Sequence, residues 1–461
     1  MKHNAELIDI PLTENKKNEN YLFKFSNITD DFIQVDDKVY STIKLAESHP
    51  GGELFVKAFA GRDATEAFLS YHRRKFPHER KLEYLVGEMN PKKEAMDDAD
   101  YLELCALIEQ VIPRSKSFAP FHYYIKIAFI MIGTFSLECY MHITGNYKWY
   151  TSSLLGFFMA LNGLNIQHDA NHGAISRFPF VNRVLGLTQN WIGGSSIGWI
   201  HQHVVQHHIH CNDVNHDPDI QGSSILRLNP LSPLLQIQMG QHIYFFFLIG
   251  LFGYIMVVNT LWNIVEGIQM TPYSKFLVPH RIFETFSSVV FILRWFILPL
   301  YIKPSIYTLL HIAPMFIVGG YYLAFFFIIS HNFEGVYMYE TEPKQKVLET
   351  IYETKEFHKK ELHKDKRLQS FLYRQVVSSC NVGGAWLAFV NGGLNYQIEH
   401  HLFPRISHCY YAKMAPIVSE FCKKKNIPYV HFPTILENIQ SCIKQLYGFG
   451  HEKEYVIVNR K

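Results

Sequence analysis

The chain has 461 residues, 48% hydrophobic and 15% aromatic, too many for one ordinary core and suited to a protein partly embedded in a membrane. A formal charge of +3 is near balance and argues against a nucleic-acid partner. Seven cysteines (Cys105, Cys139, Cys211, Cys380, Cys409, Cys422 and Cys442) are odd in number, scattered and free of any Cys-x-x-Cys, so they read as reduced thiols and exclude a disulfide framework.

Residues 1–20 are polar and charged and lack the apolar stretch of a secretory signal, so the N-terminus is expected on the cytosolic side, with 1–18 a disordered tail. A soluble unit over 19–95 follows, marked by His49-Pro50-Gly51-Gly52, Gly61-Arg62-Asp63-Ala64-Thr65-Glu66-Ala67-Phe68, His72 and Val86-Gly87-Glu88. Residues 96–120, a charged mixture reaching Pro113, read as a linker or short amphipathic connection. From there 121–430 reads as a membrane domain and 431–461 as a C-terminal tail.

Within the membrane domain, 121–143 and 149–166 are apolar and separated by the polar turn Gly145-Asn146. Each approaches the roughly 20 residues that cross a bilayer, which predicts a helical hairpin. Three more apolar segments lie at 243–265, 285–302 and 306–330. Next to these segments stand eight histidines: His168 and His172; His203, His207 and His208; the lone His331; and His400 and His401, preceded by Gln397. Residues three or four apart share a helix face, so each cluster can aim its imidazoles at one point, and imidazole is the commonest metal ligand side chain. An isolated histidine beside an apolar stretch is ordinarily a satisfied core residue; three clusters at this spacing are not. Spacing alone does not choose among zinc, copper, nickel and iron.

If the clusters share one centre they lie on one side, so an even number of crossings separates the second from the third. Five apolar segments are one too many, and either 243–265 or 285–302 fails to span. Arg294 marks the latter, but a charge near a helix end can snorkel, which leaves the choice open. The cluster Lys423, Lys424 and Lys425 agrees with a cytosolic C-terminus.

Residues 20 to 90 resemble the cytochrome b5 haem domain through the His-Pro-Gly-Gly turn and the downstream histidine. The resemblance implies a small α+β fold binding haem b, with His49 and His72 as axial ligands. Ligation from both faces closes the iron to oxygen and suits it to passing electrons. Phe55, Phe59, Phe68, Leu69 and Leu82 are expected in the pocket wall. Arg73, Arg74 and Lys75 are expected to make the reductase-facing surface less acidic than usual.

Residues 120 to 420 resemble the membrane fatty acid desaturases of the front-end class fused to cytochrome b5. The resemblance rests on His168-Asp169-Ala170-Asn171-His172, on Trp199-Ile200-His201-Gln202-His203-Val204-Val205-Gln206-His207-His208 with Asp217-Pro218-Asp219, on Ser330-His331-Asn332-Phe333, and on Asn391-Gly392-Gly393 leading into Gln397-Ile398-Glu399-His400-His401. It implies an α-helical membrane protein of about four transmembrane helices with a cytosolic helical cap. It also implies a di-iron centre held by His168, His172, His203, His207, His208, His331, His400 and His401, with Gln397 at or near the shell. A redox metal makes sense of a fused electron carrier, and zinc does not. His201, His210 and His216 are left outside the site, and Asp169 and Glu399 either hold ligand ring N–H groups or face solvent. Phe157, Phe158, Trp191, Trp199 and Trp386 are weighed as tunnel lining against bilayer anchoring.

The implied reaction uses O2 and electrons from NADH-cytochrome b5 reductase to form a cis double bond in a fatty acyl-CoA or phospholipid acyl substrate. The second box looks most like the Δ5 group, with Δ4, Δ6 or Δ8 regiochemistry, Δ8 sphingolipid desaturation and acyl hydroxylation as alternatives. The resemblance places the protein as a multi-pass component of the endoplasmic reticulum bilayer with both termini cytosolic.

Overall fold

The computed structural model describes residues 21–23, 28–90, 98–221, 225–232, 234–266, 272–340, 366–451 and 457–459. The expected N-terminal tail lies outside them. The N-terminal unit is built on a four-stranded sheet ordered β1 (Tyr21–Phe23), β4 (Leu85–Met89), β3 (Lys38–Ser41), β2 (Phe32–Val35). Strands β2 and β3 form a hairpin paired Val35 to Lys38, and Asp36 takes the positive φ of 57° that so tight a turn requires. Three short helices, Thr42–Glu47, Glu53–Ala58 and Thr65–His72, close over this sheet.

The rest is helical. Helix Phe121–Thr144 ends on Gly145 in the left-handed region (φ 64°), and Trp149–Leu161 returns beside it, the hairpin expected from the Gly145-Asn146 turn. Helix Ile306–His331 runs parallel to the returning arm at close range: a Cβ on Gly156 would sit 2.3 Å from the Met315 carbonyl oxygen. Small residues let two backbones approach where lipid offers no hydrophobic drive. Far from the histidines, Gly145 meets Ile302 and His311 Nδ1 lies 3.1 Å from the Tyr147 carbonyl, so these ends share one side.

The spans at 114–144, 278–302 and 306–331 are each long and apolar enough to cross a bilayer, and 236–263 is a helix pair bent by 74°. The choice left open by hydropathy therefore falls on 243–265 as the broken segment. Its bend is seated on Gly320, where a Cβ would lie 2.2 Å from Gly253 N. Both flanks of the pair return to the histidine side: Gln241 donates to the Leu446 carbonyl, and the Pro272 carbonyl accepts from Arg62 of the N-terminal unit. Arg294 does not snorkel. It pairs with Glu138 through two contacts of 2.6 Å inside the helix bundle, each charge offsetting the other's burial.

Two stretches expected to be connections are packed elements. Within the predicted linker, helix Ala99–Val111 buries Tyr101, Leu104, Cys105 and Ile108 against Phe371, Leu402 and Phe403, and the Tyr101 hydroxyl donates to the Leu402 carbonyl at 2.6 Å. Within the predicted tail, helix Ile435–Gly450 packs on the long helix, and Asn438 Nδ2 donates to the Ile329 carbonyl at 3.0 Å. The apolar stripes of both helices require such partners.

The N-terminal unit is not held by a tether alone. Its core residues Ile33, Val35, Tyr40 and Phe59 belong to one cluster with Ile197, Ile200, Val204 and Val205, the face of the second histidine segment that points away from the clusters. A buried ion pair, Glu66 with Arg374, and the contact of Lys275 with Asp31 complete the junction.

Candidate metal centre

The eight histidines arrive on four elements. His168 opens the helix His168–Asn171, which His172 caps; His203, His207 and His208 lie on 200–210; His331 ends the long helix; His400 and His401 lie on Gln397–Leu402. All are buried except His203, which is partly so. They sort into two groups. His168, His172, His203 and His400 bring ligand atoms within 4.8 Å of one another. His208 joins them, its Nε2 lying 3.2 Å from His203 Nε2 and 3.0 Å from His400 Nε2. In the second group, His331 Nε2 lies 3.2 Å from His401 Nε2 and 2.9 Å from Gln397 Nε2, with the His207 ring 4.9 Å from that of His331.

The second and third boxes are therefore each divided between two groups, where helical spacing predicted one target per box. Residues Ile200–His207 are π-helical, closed by a bond from His208 N–H to the His203 carbonyl, and His203 with His208 faces one group while His207 faces the other. On Gln397–Leu402 the neighbours His400 and His401 point about 100° apart around the axis. A second π-helical turn, Asn162–Gln167, delivers His168.

These groups fit metal ions. Two imidazole nitrogens each about 2.1 Å from one ion and about 90° apart stand about 3 Å from each other, close to the separations found. His172 Nε2 and His168 Nε2 are buried without a protein hydrogen-bond partner, a cost that an ion would relieve. Burial, reinforced by repulsion from neighbouring rings, holds His172, His203, His208, His400 and His401 well below the usual imidazole range, hence neutral and able to ligate.

The opposite ring nitrogens are held from outside. His207 Nδ1 lies 3.0 Å from Asp217 Oδ1, His401 Nδ1 lies 2.9 Å from Gln375 Oε1, His400 Nδ1 lies 3.2 Å from the Tyr411 hydroxyl, and His172 Nδ1 lies 2.7 Å from the Tyr71 hydroxyl. His331 Nδ1 lies 3.1 Å from the Ser378 carbonyl. Burial opposes charge on His207, yet Asp217 and Asp219 outweigh it and raise the ring to about 9, so this site favours a cation. Cys211 Sγ lies 3.4 Å from His331 Nδ1, and with His207, His331 and His401 it forms a group whose ligand atoms all lie within 4.8 Å of one another.

Asp169 and Glu399 do not face solvent, and Asp169 Oδ1 lies 3.8 Å from Nδ1 of the ligand ring His168. Asp169 accepts from His408 at 2.9 Å, while Glu399 accepts from Asn381 and Tyr429 at 2.7 and 2.9 Å. His201 meets Tyr273 edge to face, and His210, Asp213 and His216 form a separate group. Of the aromatics weighed for a tunnel, Trp199 packs on His168, His172 and His203, whereas Trp386 is 76% exposed and Trp191 stacks on Arg294.

In the N-terminal unit, His49 and His72 face each other across a cavity of about 390 Å³, their ring centroids 5.9 Å apart. Two imidazoles on one iron from opposite faces, each nitrogen about 2 Å from it and each ring centre about 1 Å farther back, give about 6 Å. His49 Nδ1–H donates to the Gly52 carbonyl and His72 Nδ1–H to the Phe68 carbonyl, leaving both Nε2 atoms for iron. Phe55, Phe59 and Phe68 line the cavity as expected. Leu69 packs instead against the helical domain, and Leu82 is 59% exposed. Arg73 is buried and donates to the Ile112 carbonyl, so it faces the helical domain and not a reductase. The cavity's other wall comes from the helical domain and includes His172, Pro179 and Arg405.

Tyr71, Asp217, Gln375, Tyr411 and Ser378 are the supporting residues that sequence reasoning missed or left without a role. Asp217 alone carried a signal, its place in the Asp-Pro-Asp that follows the second box.

The fatty acid desaturase profile matches residues 147–433, and the profile of the cytochrome b5-like heme/steroid binding domain matches 18–90. The acyl-lipid (7-3)-desaturase of Rebecca salina is 41% identical over 91% of each chain. That of Diacronema lutheri is 40% identical over 91% of this chain and 90% of its own. Delta(5) fatty acid desaturase A of Dictyostelium discoideum is 29% identical over 94% of each.

Proposed function

The chain belongs to the fatty acid desaturase family and carries a cytochrome b5-like domain, and from that premise we propose a front-end desaturase that draws electrons through its own haem. It would insert a cis double bond between an existing double bond and the carboxyl end of a long polyunsaturated acyl chain. One observation carries this reading: the first of two neighbouring imidazole groups shares His172 with the wall of the haem cavity.

Two irons bound with O2 would supply the oxidant that an unactivated methylene C–H bond demands, chemistry beyond the reach of side-chain acids and bases. His168, His172, His203, His208 and His400 would hold one ion, and His207, His331 and His401, with Gln397, the other. Asp217, Gln375, Tyr411, Tyr71 and the Ser378 carbonyl hold the opposite ring nitrogens and so set which nitrogen faces the metal. Trp199 covers three of the rings and keeps water from them. The protein's remaining task is to present one carbon pair of the acyl chain, since fixed orientation replaces a rare encounter.

The domain division at 19–95 and 121–430, the cytosolic placement of both termini, the endoplasmic reticulum membrane, NADH-cytochrome b5 reductase as donor, and a coenzyme A or phospholipid head group belong to the same proposal. For regiochemistry we favour the (7-3) type of the relatives at 41% and 40% identity. Δ5 is the second reading, carried by the Dictyostelium relatives at 29–30%.

Expression in a host without polyunsaturates, fed candidate acids singly with double-bond mapping, tests both. A new bond on the carboxyl side of an existing one is expected; products hydroxylated or desaturated toward the methyl end overturn the front-end reading. His49→Ala should lose the low-spin haem spectrum and nearly all turnover; wild-type turnover in that variant overturns the haem as donor.

A further inference from the structure

We propose that the hydrogen bond between Tyr71 and His172 is the port through which electrons leave the haem for the metal centre, with Tyr71 a positioning residue for that transfer. The proposal rests on the haem-fed desaturase reading above. Tyr71 directly precedes His72 in the chain, so its backbone is continuous with that of a haem ligand. Its hydroxyl lies 2.7 Å from His172 Nδ1. His172 Nε2 has no protein partner, and its ring stands 4.6 to 5.2 Å from those of His168, His203, His208 and His400. With Nε2 given to a metal, Nδ1 carries the hydrogen and donates to the Tyr71 oxygen. Both residues also line the cavity that His49 and His72 face, so the bond runs along the wall between the two sites. Among the described residues, other polar links between the units, such as Glu66 to Arg374, Arg62 to Pro272, Ser274 to Lys57, and Lys275 to Asp30 and Asp31, end on residues outside both imidazole groups.

Each transfer oxidises ferrous haem to ferric haem and reduces the metal centre by one electron, after which a flavoprotein reductase restores the ferrous haem. Two such transfers, the two electrons and two protons of the C–H bonds, and two solvent protons together convert one O2 to two waters.

Tyr71→Phe keeps the ring and its packing on Phe55 and removes only the hydroxyl. In purified full-length protein loaded with haem and iron, the haem is photoreduced by a flash without O2, and its reoxidation by the metal centre is followed optically. Tyr71→Phe should slow that step about 10- to 100-fold, the usual effect of losing an outer partner of a metal ligand, with haem spectrum, midpoint potential and iron content unchanged. Lys275→Ala, which weakens an exposed contact between the units without touching Tyr71, should transfer at nearly the wild-type rate. A wild-type rate in Tyr71→Phe, equal slowing in Lys275→Ala, or loss of iron from Tyr71→Phe would each overturn the port. If iron-replete wild type passed no electron from its haem, the haem-fed reading would fail along with it.

Discussion

An imidazole gives one nitrogen to a metal dependably only when the other is held as a donor, and here that holding is spread over residues remote in sequence. Asp217 does most for the second group, because its charge stands 3.0 Å behind His207. Asp217→Asn keeps the shape and removes the charge, so iron affinity and turnover should fall about 10- to 100-fold, read as iron per haem and product per hour. Loss of a direct ligand should exceed this: His401→Ala should purify with less iron and no detectable desaturation while haem content stays normal. Gln397→Ala should fall between, since an amide is a weak ligand and its 2.9 Å approach to His331 also fits a hydrogen bond. Full iron with appreciable activity in His401→Ala would remove the third box from the centre.

At the scale of elements, two departures from the α-helix position the centre. The π-helical run through the second box sends His203 and His208 one way and His207 the other, and the left-handed turn before the third box lets it dock on the first. Gly392 makes that docking possible: its φ is 70°, and a Cβ there would sit 2.1 Å from the Leu164 carbonyl oxygen. Gly392→Ala adds a left-handed strain of about 1–2 kcal/mol to that collision, so the helical domain should melt several degrees lower and lose iron while the haem spectrum survives. An unchanged melting temperature would mean that the turn has room to relax.

Across the whole molecule, the haem domain is built into the helical domain. Arg374 is 1% exposed and Glu66 9%, and such a pair is costly to break from one side. Glu66→Gln leaves the guanidinium without its countercharge and should cost about 3–5 kcal/mol, seen as earlier release of the haem domain in denaturant titration. Among the described residues, three helices long and apolar enough to cross a bilayer, the returning arm Trp149–Leu161 and one bent pair bring the three boxes together. Glycosylation tags after residue 145 should be modified, and tags after 220 and 425 should not. Modification at 425 would contradict an assembly in which His400 lies 3.0 Å from His208.

The histidines that the fold brings into two groups, Gln397 beside them, the facing pair His49 and His72, and the apolar segments were all legible in the sequence, because metal ligation and membrane insertion each need residue types at short, regular spacing. The parity of crossings was also legible, as the requirement that one segment fail. Tertiary structure decided which one, since the 74° bend depends on Gly320 meeting Gly253 across two helices. It also decided the partition into two imidazole groups, which a π-turn invisible to α-helical spacing controls. Tyr71, Gln375 and Tyr411 could not have been found by pattern, for each acts through one contact with a ring far away in sequence. The packing of the helices at 99–111 and 435–450 lay beyond the sequence for the same reason: an amphipathic stretch shows that it needs a partner, and only the fold supplies one.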